Sequence, residues 1–413
     1  MKNKLIPYKW ELVVLLAIAF FFNQADRQIF NVVLPLIRDD LGLTDADMGL
    51  VATILNMVFG VLVPVAGLMG DKISKKRLII LSLLVWSAAT LCTGFSTTLI
   101  ELIILRSVAT GGGEAFYSPS ANALISENHS DKTRATALSI HQTALYIGII
   151  FSGYLAGAVA EAWGWRHAFV LFGGFGILLG IILIFRINND QRAKANKSGT
   201  VETATIRESI GAFFKCPTAI LLALAFACMQ FVGVGFITWM PTYLHETFSF
   251  DLARSGFDAT FWHHAGAFAG VMLGARIADS LSRRHFRSRT MTQCAGLLIG
   301  APFIFIMAKS NTIIVIYIAM TMFGIFRGMY DSNLFASVYD VIPERCRAAA
   351  TGFMQMFAFI VGSISPYLLG LIKPGLGLSN GMAALSLVYL LGAVLICCAS
   401  VLTLKKDMSR IHL

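Results

Sequence analysis

The stretch GLMGDKISKKR, residues 67–77, has a counterpart in ARIADSLSRRH, residues 275–285. The shift from 67 to 275 sets Asp71 against Asp279 and Lys75-Lys76 against Arg283-Arg284. A second pair, DKTRATALSIHQ (131–142) and ERCRAAATGFMQ (344–355), matches at nearly the same offset and sets Arg134 against Arg347 and Gln142 against Gln355. Two independent loop matches at almost one spacing are the mark of an internal repeat. The chain is therefore expected to consist of two related halves.

The material between these loops is apolar. Of 413 residues, 56% are hydrophobic and 14% charged, with a mean hydropathy of +0.72, whereas soluble domains carry about 25% charged residues. A spanning helix needs roughly 20 mostly apolar residues, and twelve stretches qualify: 11–36, 47–70, 78–97, 99–125, 134–160, 166–186, 217–245, 256–279, 290–308, 312–339, 348–372 and 379–404. A transmembrane barrel would show alternating segments of about ten residues, and runs such as LIILSLLVWSAATL (78–91) do not alternate. The predicted fold is an all-α membrane protein, with twelve transmembrane helices in two pseudo-symmetric six-helix bundles. The bundles take 1–187 and 217–413. The hydrophilic 188–216 joins them as a cytoplasmic linker, in which Ile206, Ile210, Phe213 and Phe214 recur at the spacing of a short amphipathic helix.

The net charge of +10 is a matter of topology. With both termini in the cytoplasm, 24 of the 33 Lys and Arg fall in cytoplasmic segments, five in the opposite loops and four within spans, as positive-inside requires. A nucleic-acid partner is not implied. The first apolar run is too long for a signal-peptide core and is expected to remain as the first span. The seven cysteines show no metal spacing and no disulfide framework; no metal and no cofactor are expected.

Six charged positions stand out inside the spans. In FFNQADRQIF (21–30), Asp26 and Arg27 lie about 15 residues into the first span, and Glu114 lies about as deep in the fourth, behind Gly111-Gly112-Gly113. An acid at mid-depth costs at least ~2.5 kcal/mol unless it meets water or a partner, so it is a functional hypothesis by default. Asp26 is read as a protonation site, and Arg27 as the fixed cation that either holds it ionised or holds an anionic substrate. The fourth span adds Arg106, Tyr117 and Asn122, and the tenth adds Arg327, Tyr330, Asp331 and Asn333. Arg327 and Asp331, four residues apart, share a helix face and can neutralise one another. Asn23, Gln142, Tyr146, Gln230 and Trp239 complete a set of hydrogen-bonding and stacking residues for a polar ligand. His263 and His264 point about 100° apart and are read as interfacial.

Gly67-x-x-x-Asp71-Lys72 followed by Lys75-Lys76, and its repeat, resemble the signature loop of the major facilitator superfamily. That resemblance implies helices 1, 4, 7 and 10 around a cavity, alternating access, and gating at Asp71, Asp279, Arg134 and Arg347. NQADRQIFNVVLPLIRDDLGLT (23–44) and GGGEAFYSP (111–119) resemble the first and fourth helices of both the anion:cation symporters and the Spinster-like lipid transporters, while FITWMPTYL (236–244) leans towards the symporters and GSISPYLLG (362–370) towards Spinster. By this resemblance Asp26 and Glu114 are the proton-coupling acids, and Arg27 and Arg106 bind a substrate carboxylate or tune those acids. One spacing departs from the pattern. Arg106 stands eight residues before Glu114 rather than seven, which rotates the pair by ~80° in a regular helix. Either the triple glycine absorbs the extra residue as a bulge or Arg106 faces elsewhere.

The expected function is proton-coupled symport of a small organic anion such as a sugar acid, by a monomer in a bacterial inner membrane. The alternatives are a Spinster-like carrier of lysophospholipids or related amphiphiles and a neutral sugar-proton symporter. An enzyme is not expected, since no nucleophile with an adjacent base, no metal cluster and no phosphate-binding loop occur.

Overall fold

A computed structural model describes residues 7–70, 73–187, 205–282 and 285–410. The described residues are 91% helix and form no strand, as a lipid environment demands: an apolar segment with no water to bond must satisfy its backbone within itself. Nine helices among the described residues are long and apolar enough on their own to cross a membrane. The fold has twelve spans, and the difference has visible causes. The fourth span is broken into Leu99–Leu102, Ile103–Ala109, Thr110–Ala115 and Tyr117–Asn128. The eighth, Leu252–Ser282, carries several charged and His residues. The last two run together as Arg347–Cys398, interrupted at Gly377, whose φ of 76° breaks the helical path.

The helices pack into two compact units, Met1–Asn196 with Met240–Thr260, and Lys197–Trp239 with Phe261–Leu413. The end of the seventh helix (Pro217–Phe248) and the start of the eighth thus group with the first unit. Arg38 of the first helix (Tyr8–Leu41) donates to Asp45 and Glu246 at 2.9 Å each, and the Leu252 N–H donates to the Glu161 carboxylate at 2.5 Å.

The core of the first unit gathers Leu12, Leu16 and Phe20 with Leu83, Trp86 and Tyr117. Here the triple glycine admits close helix contact: a Cβ on Gly111 would lie 2.8 Å from the Leu55 carbonyl oxygen, and one on Gly113 3.0 Å from the Trp86 nitrogen. In the second unit the eighth helix and the tenth (Ile313–Asp331) are pressed together along Gly266, Gly270 and Gly274 on one side and Gly324 and Gly328 on the other. Any added Cβ there would fall inside van der Waals contact of the facing backbone. Small residues four apart are how membrane helices approach closely without a hydrophobic driving force. This crossing sets the second unit's charged residues.

The linker helix forms at Ile206–Phe214, opened by a capping box between Thr205 and Glu208. Phe213 is buried against Phe353, and Phe214 is exposed.

Candidate functional site

The extra residue between Arg106 and Glu114 is taken up by a π-helical turn at Ile103–Ala109, just ahead of the glycines rather than within them. A π turn inserts one residue into an α-helix and re-aims what lies on it. As a result Arg106 faces inward, and its side chain is 1% exposed.

Arg106 donates from Nη1 to the Asp26 carboxylate at 3.0 Å and from Nη2 to the Asp26 carbonyl at 2.8 Å. Arg27 donates from Nε to Glu114 at 2.6 Å. The pairing is therefore crossed, and this corrects the reading in which Arg27 serves its neighbour Asp26. Residues adjacent on a helix point about 100° apart, so Asp26 turns to the fourth helix at Arg106 while Arg27 turns to it at Glu114. Two ion pairs join the same two helices. They differ in closure. Arg106 and Asp26 exclude solvent, with Arg106 Nε buried and without an acceptor among the described residues, whereas Arg27 is 17% exposed, lies over the Phe59 ring at 4.0 Å, and leaves its buried Nη2 likewise without an acceptor among them. Glu114 Oε1 is likewise buried and without a hydrogen-bond partner among the described residues. A buried polar group left open in this way needs an explanation.

Asp26 has one more partner, which the sequence did not signal. The Thr90 hydroxyl lies 2.5 Å from Asp26 Oδ1 and 2.9 Å from the Trp86 carbonyl. A hydroxyl has one proton to give. With Asp26 ionised, Thr90 donates to it; with Asp26 protonated, Asp26 can donate to Thr90 and Thr90 to Trp86. The geometry accommodates both protonation states without moving a heavy atom.

In the second unit Arg327 Nη1 stands 3.3 Å from His263 Nε2, and Nε stands 3.6 Å from Asp331. The Asp331 separation is an ion pair, too long for a hydrogen bond, so the expected neutralisation is partial. His263, read as interfacial, is instead 1% exposed and sits between Phe236 and Phe323 at ring distances of 5.1 and 4.7 Å. The glycine crossing of the eighth and tenth helices carries it inward. The adjacent histidines did hold a signal, because two neighbours 100° apart on a buried helix cannot both face lipid.

The Major Facilitator Superfamily profile matches residues 16–366. The chain belongs to the major facilitator superfamily. It is 26% identical to the "Probable galactarate/D-glucarate transporter GudP" of Escherichia coli (strain K12), over 98% of this chain and 95% of that one. It is 28% identical to "Protein spinster homolog 1" of Xenopus tropicalis, over 88% of this chain and 72% of that one. Among solved structures, a bacterial homolog of the human lysosomal transporter Spinster superposes with a TM-score of 0.85 at 21% identity, covering 97% of this chain and 98% of that one. The protein is thus a multi-pass integral membrane transporter of small molecules and not an enzyme.

Within this superfamily member, several expected ligand residues are spent on packing. Tyr117 donates to the Leu16 carbonyl at 2.5 Å, Trp239 Nε1 to the Pro366 carbonyl at 3.0 Å, and Asn333 to Ser332 Oγ at 2.9 Å. Asn23, which accepts from Gln24 at 2.8 Å, Gln230 and Tyr330 are also buried. Gln142 is exposed, and Asn122 and Tyr146 are half-buried. Of the gating positions, Arg347 donates to the Tyr339 carbonyl at 3.0 Å, Asp279 and Arg134 are exposed, and Asp71 lies outside the described residues.

Proposed function

We propose that this transporter is a proton-coupled symporter of a small organic anion, most simply a sugar acid, working by alternating access as a monomer in a bacterial inner membrane with both termini cytoplasmic. The observation that carries the reading is the half-open Arg27–Glu114 pair at mid-span, beside a sealed Arg106–Asp26 pair. A substrate carboxylate that engages Arg27 draws it from Glu114, and the bared carboxylate then takes up a proton. Anion and proton load together, so the net charge in the low-dielectric site is conserved. Asp26, relayed through Thr90, is the second proton site; Arg106 holds it in place. The similarity to the galactarate/D-glucarate transporter supports a sugar acid as the anion.

The test is substrate-evoked proton movement in liposomes holding the purified protein. Galactarate, glucarate and hexuronates are expected to drive proton uptake, and Asp26→Asn and Glu114→Gln to abolish concentrative uptake in protein that still folds. Unchanged proton-driven accumulation in both variants would sink the assignment.

A second reading, carriage of a lysophospholipid or related amphiphile, is favoured by one feature of the first unit. A groove of about 420 Å³ runs beside Leu62, Leu81, Val85, Val108, Gly112 and Phe116, with an almost wholly apolar lining. Proton-independent movement of a lysophospholipid, with silence towards every sugar acid, would select it.

A further inference from the structure

We infer that Arg327 is a carboxylate-binding subsite of the second unit and that His263 is its positioning residue. The inference rests on the sugar-acid reading and deepens it: the ligand group recognised is a carboxylate, of which a sugar diacid carries two and a monoacid one.

Three elements fix the Arg327 guanidinium. From the eighth helix, His263 Nε2 lies 3.3 Å from Nη1. Arginine has only donors, so this nitrogen accepts, and the ring carries its proton on Nδ1, which is buried without a partner among the described residues. From the seventh helix, Gly233 makes room: a Cβ there would lie 2.9 Å from Nη1 and 3.2 Å from both Cζ and Nη2, so the guanidinium lies flat on bare backbone. From its own helix, Asp331 stands at ion-pair distance without a hydrogen bond. The outcome is a cation held in place yet mostly unspent. Of five N–H donors, one meets an acceptor among the described residues, and the side chain keeps 17% of its surface open.

A purely structural role predicts the opposite. Arg106 shows what a structural arginine looks like in this chain: two hydrogen bonds of 3.0 Å or less to one aspartate, almost no exposed surface, and Nε buried without an acceptor among the described residues. Arg327 has none to its aspartate. A planar fork, oriented and unsaturated, matches the two oxygens of a carboxylate and forms bidentate charge-assisted bonds. His263 acts through Arg327 and touches no ligand itself; its acceptor nitrogen sets the rotation of the fork.

The experiment is equilibrium binding of galactarate, with two carboxylates, and galactonate, with one, to the purified full chain. Arg327→Gln should weaken galactarate roughly tenfold or more, the loss expected for a charge-assisted pair, and galactonate less than about threefold. His263→Phe keeps the ring between Phe236 and Phe323 but removes the acceptor, and should erase part of the galactarate preference. His263→Gln returns an acceptor and should restore it, which a packing role would not allow. Gly233→Ala, which pushes the fork aside, should mimic Arg327→Gln and serves if that variant fails to fold. An unchanged galactarate-to-galactonate ratio in Arg327→Gln and Gly233→Ala, with both ligands still bound, overturns this subsite alone. Equal weakening of both ligands also overturns it. Failure of the unaltered chain to bind either acid overturns the sugar-acid reading and the subsite with it.

Discussion

The chain's two charged centres use the same residue types to opposite ends. In the first unit, Arg106 and Asp26 close on each other at 2.8 and 3.0 Å and exclude solvent; in the second, Arg327 and Asp331 stand 3.6 Å apart with the cation partly open. A guanidinium near a carboxylate is therefore no assignment by itself. What separates structure from site is how many donors remain unspent and whether the surroundings hold the group still.

The sharpest way to break this contrast is to remove each cation. Arg106→Met leaves the Asp26 carboxylate buried and unpaired, and should cost about 3–5 kcal/mol. Arg327→Met gives up a partly solvated pair and should cost about 1 kcal/mol or less. Thermal unfolding in detergent reads both, and equal shifts would erase the distinction. Next in size are glycine substitutions near each centre, one at a tight helix crossing and one with room around it. Gly270→Ala, facing the Ile325 carbonyl in the second unit, should cost about 1–3 kcal/mol by overpacking. Gly112→Ala in the first unit should be nearly silent, because its Cβ meets only Leu62 Cδ1 at 3.7 Å.

Smaller still is the effect of deleting Val108, which stands in the π turn between Arg106 and Glu114. If that turn carries one inserted residue, a plain α-helix restores the facing of Arg106 and Glu114, and uptake should stay within about threefold of the unaltered chain. A collapse in uptake would mean that the π geometry itself is required. The smallest effect lies outside both centres, at the linker helix. The Glu208 carboxylate is held below its usual range, chiefly because it accepts from the Thr205 backbone N–H. A depressed folded-state value means that the cap contributes fully above the ordinary carboxylate range and is lost as pH falls through that folded-state value. Amide exchange at the start of this helix should quicken only in acid, and Glu208→Gln should abolish the pH dependence.

Much of the fold was legible because hydropathy and loop repeats are properties of the chain in order. The repeat of Gly67–Arg77 at 275–285 and the twelve apolar stretches need no three-dimensional information. The depth of Asp26, Arg27, Arg106 and Glu114 could be counted in the same way, since depth follows from position along a helix. Partners could not. Asp26 and Arg27 are neighbours in sequence, and helical geometry turns them apart, so the crossed pairing had to come from the fourth helix. Even the odd spacing of Arg106 announced only that something was irregular; the π turn ahead of the glycines decided which way the arginine points.

Thr90, Gly233 and His263 mark the limit. Thr90 and Gly233 are unremarkable in their own stretches, His263 drew notice only as half of an adjacent pair, and each gains meaning from a residue on another helix: Thr90 from Asp26, and Gly233 and His263 from Arg327. Sequence by itself determined a twelve-span transporter with charges buried at mid-depth, because burial of apolar length in lipid is a one-dimensional requirement. Only the tertiary structure decided which charges are sealed and which stay open, because hydrogen-bond saturation depends on distances between helices that the order of residues does not contain.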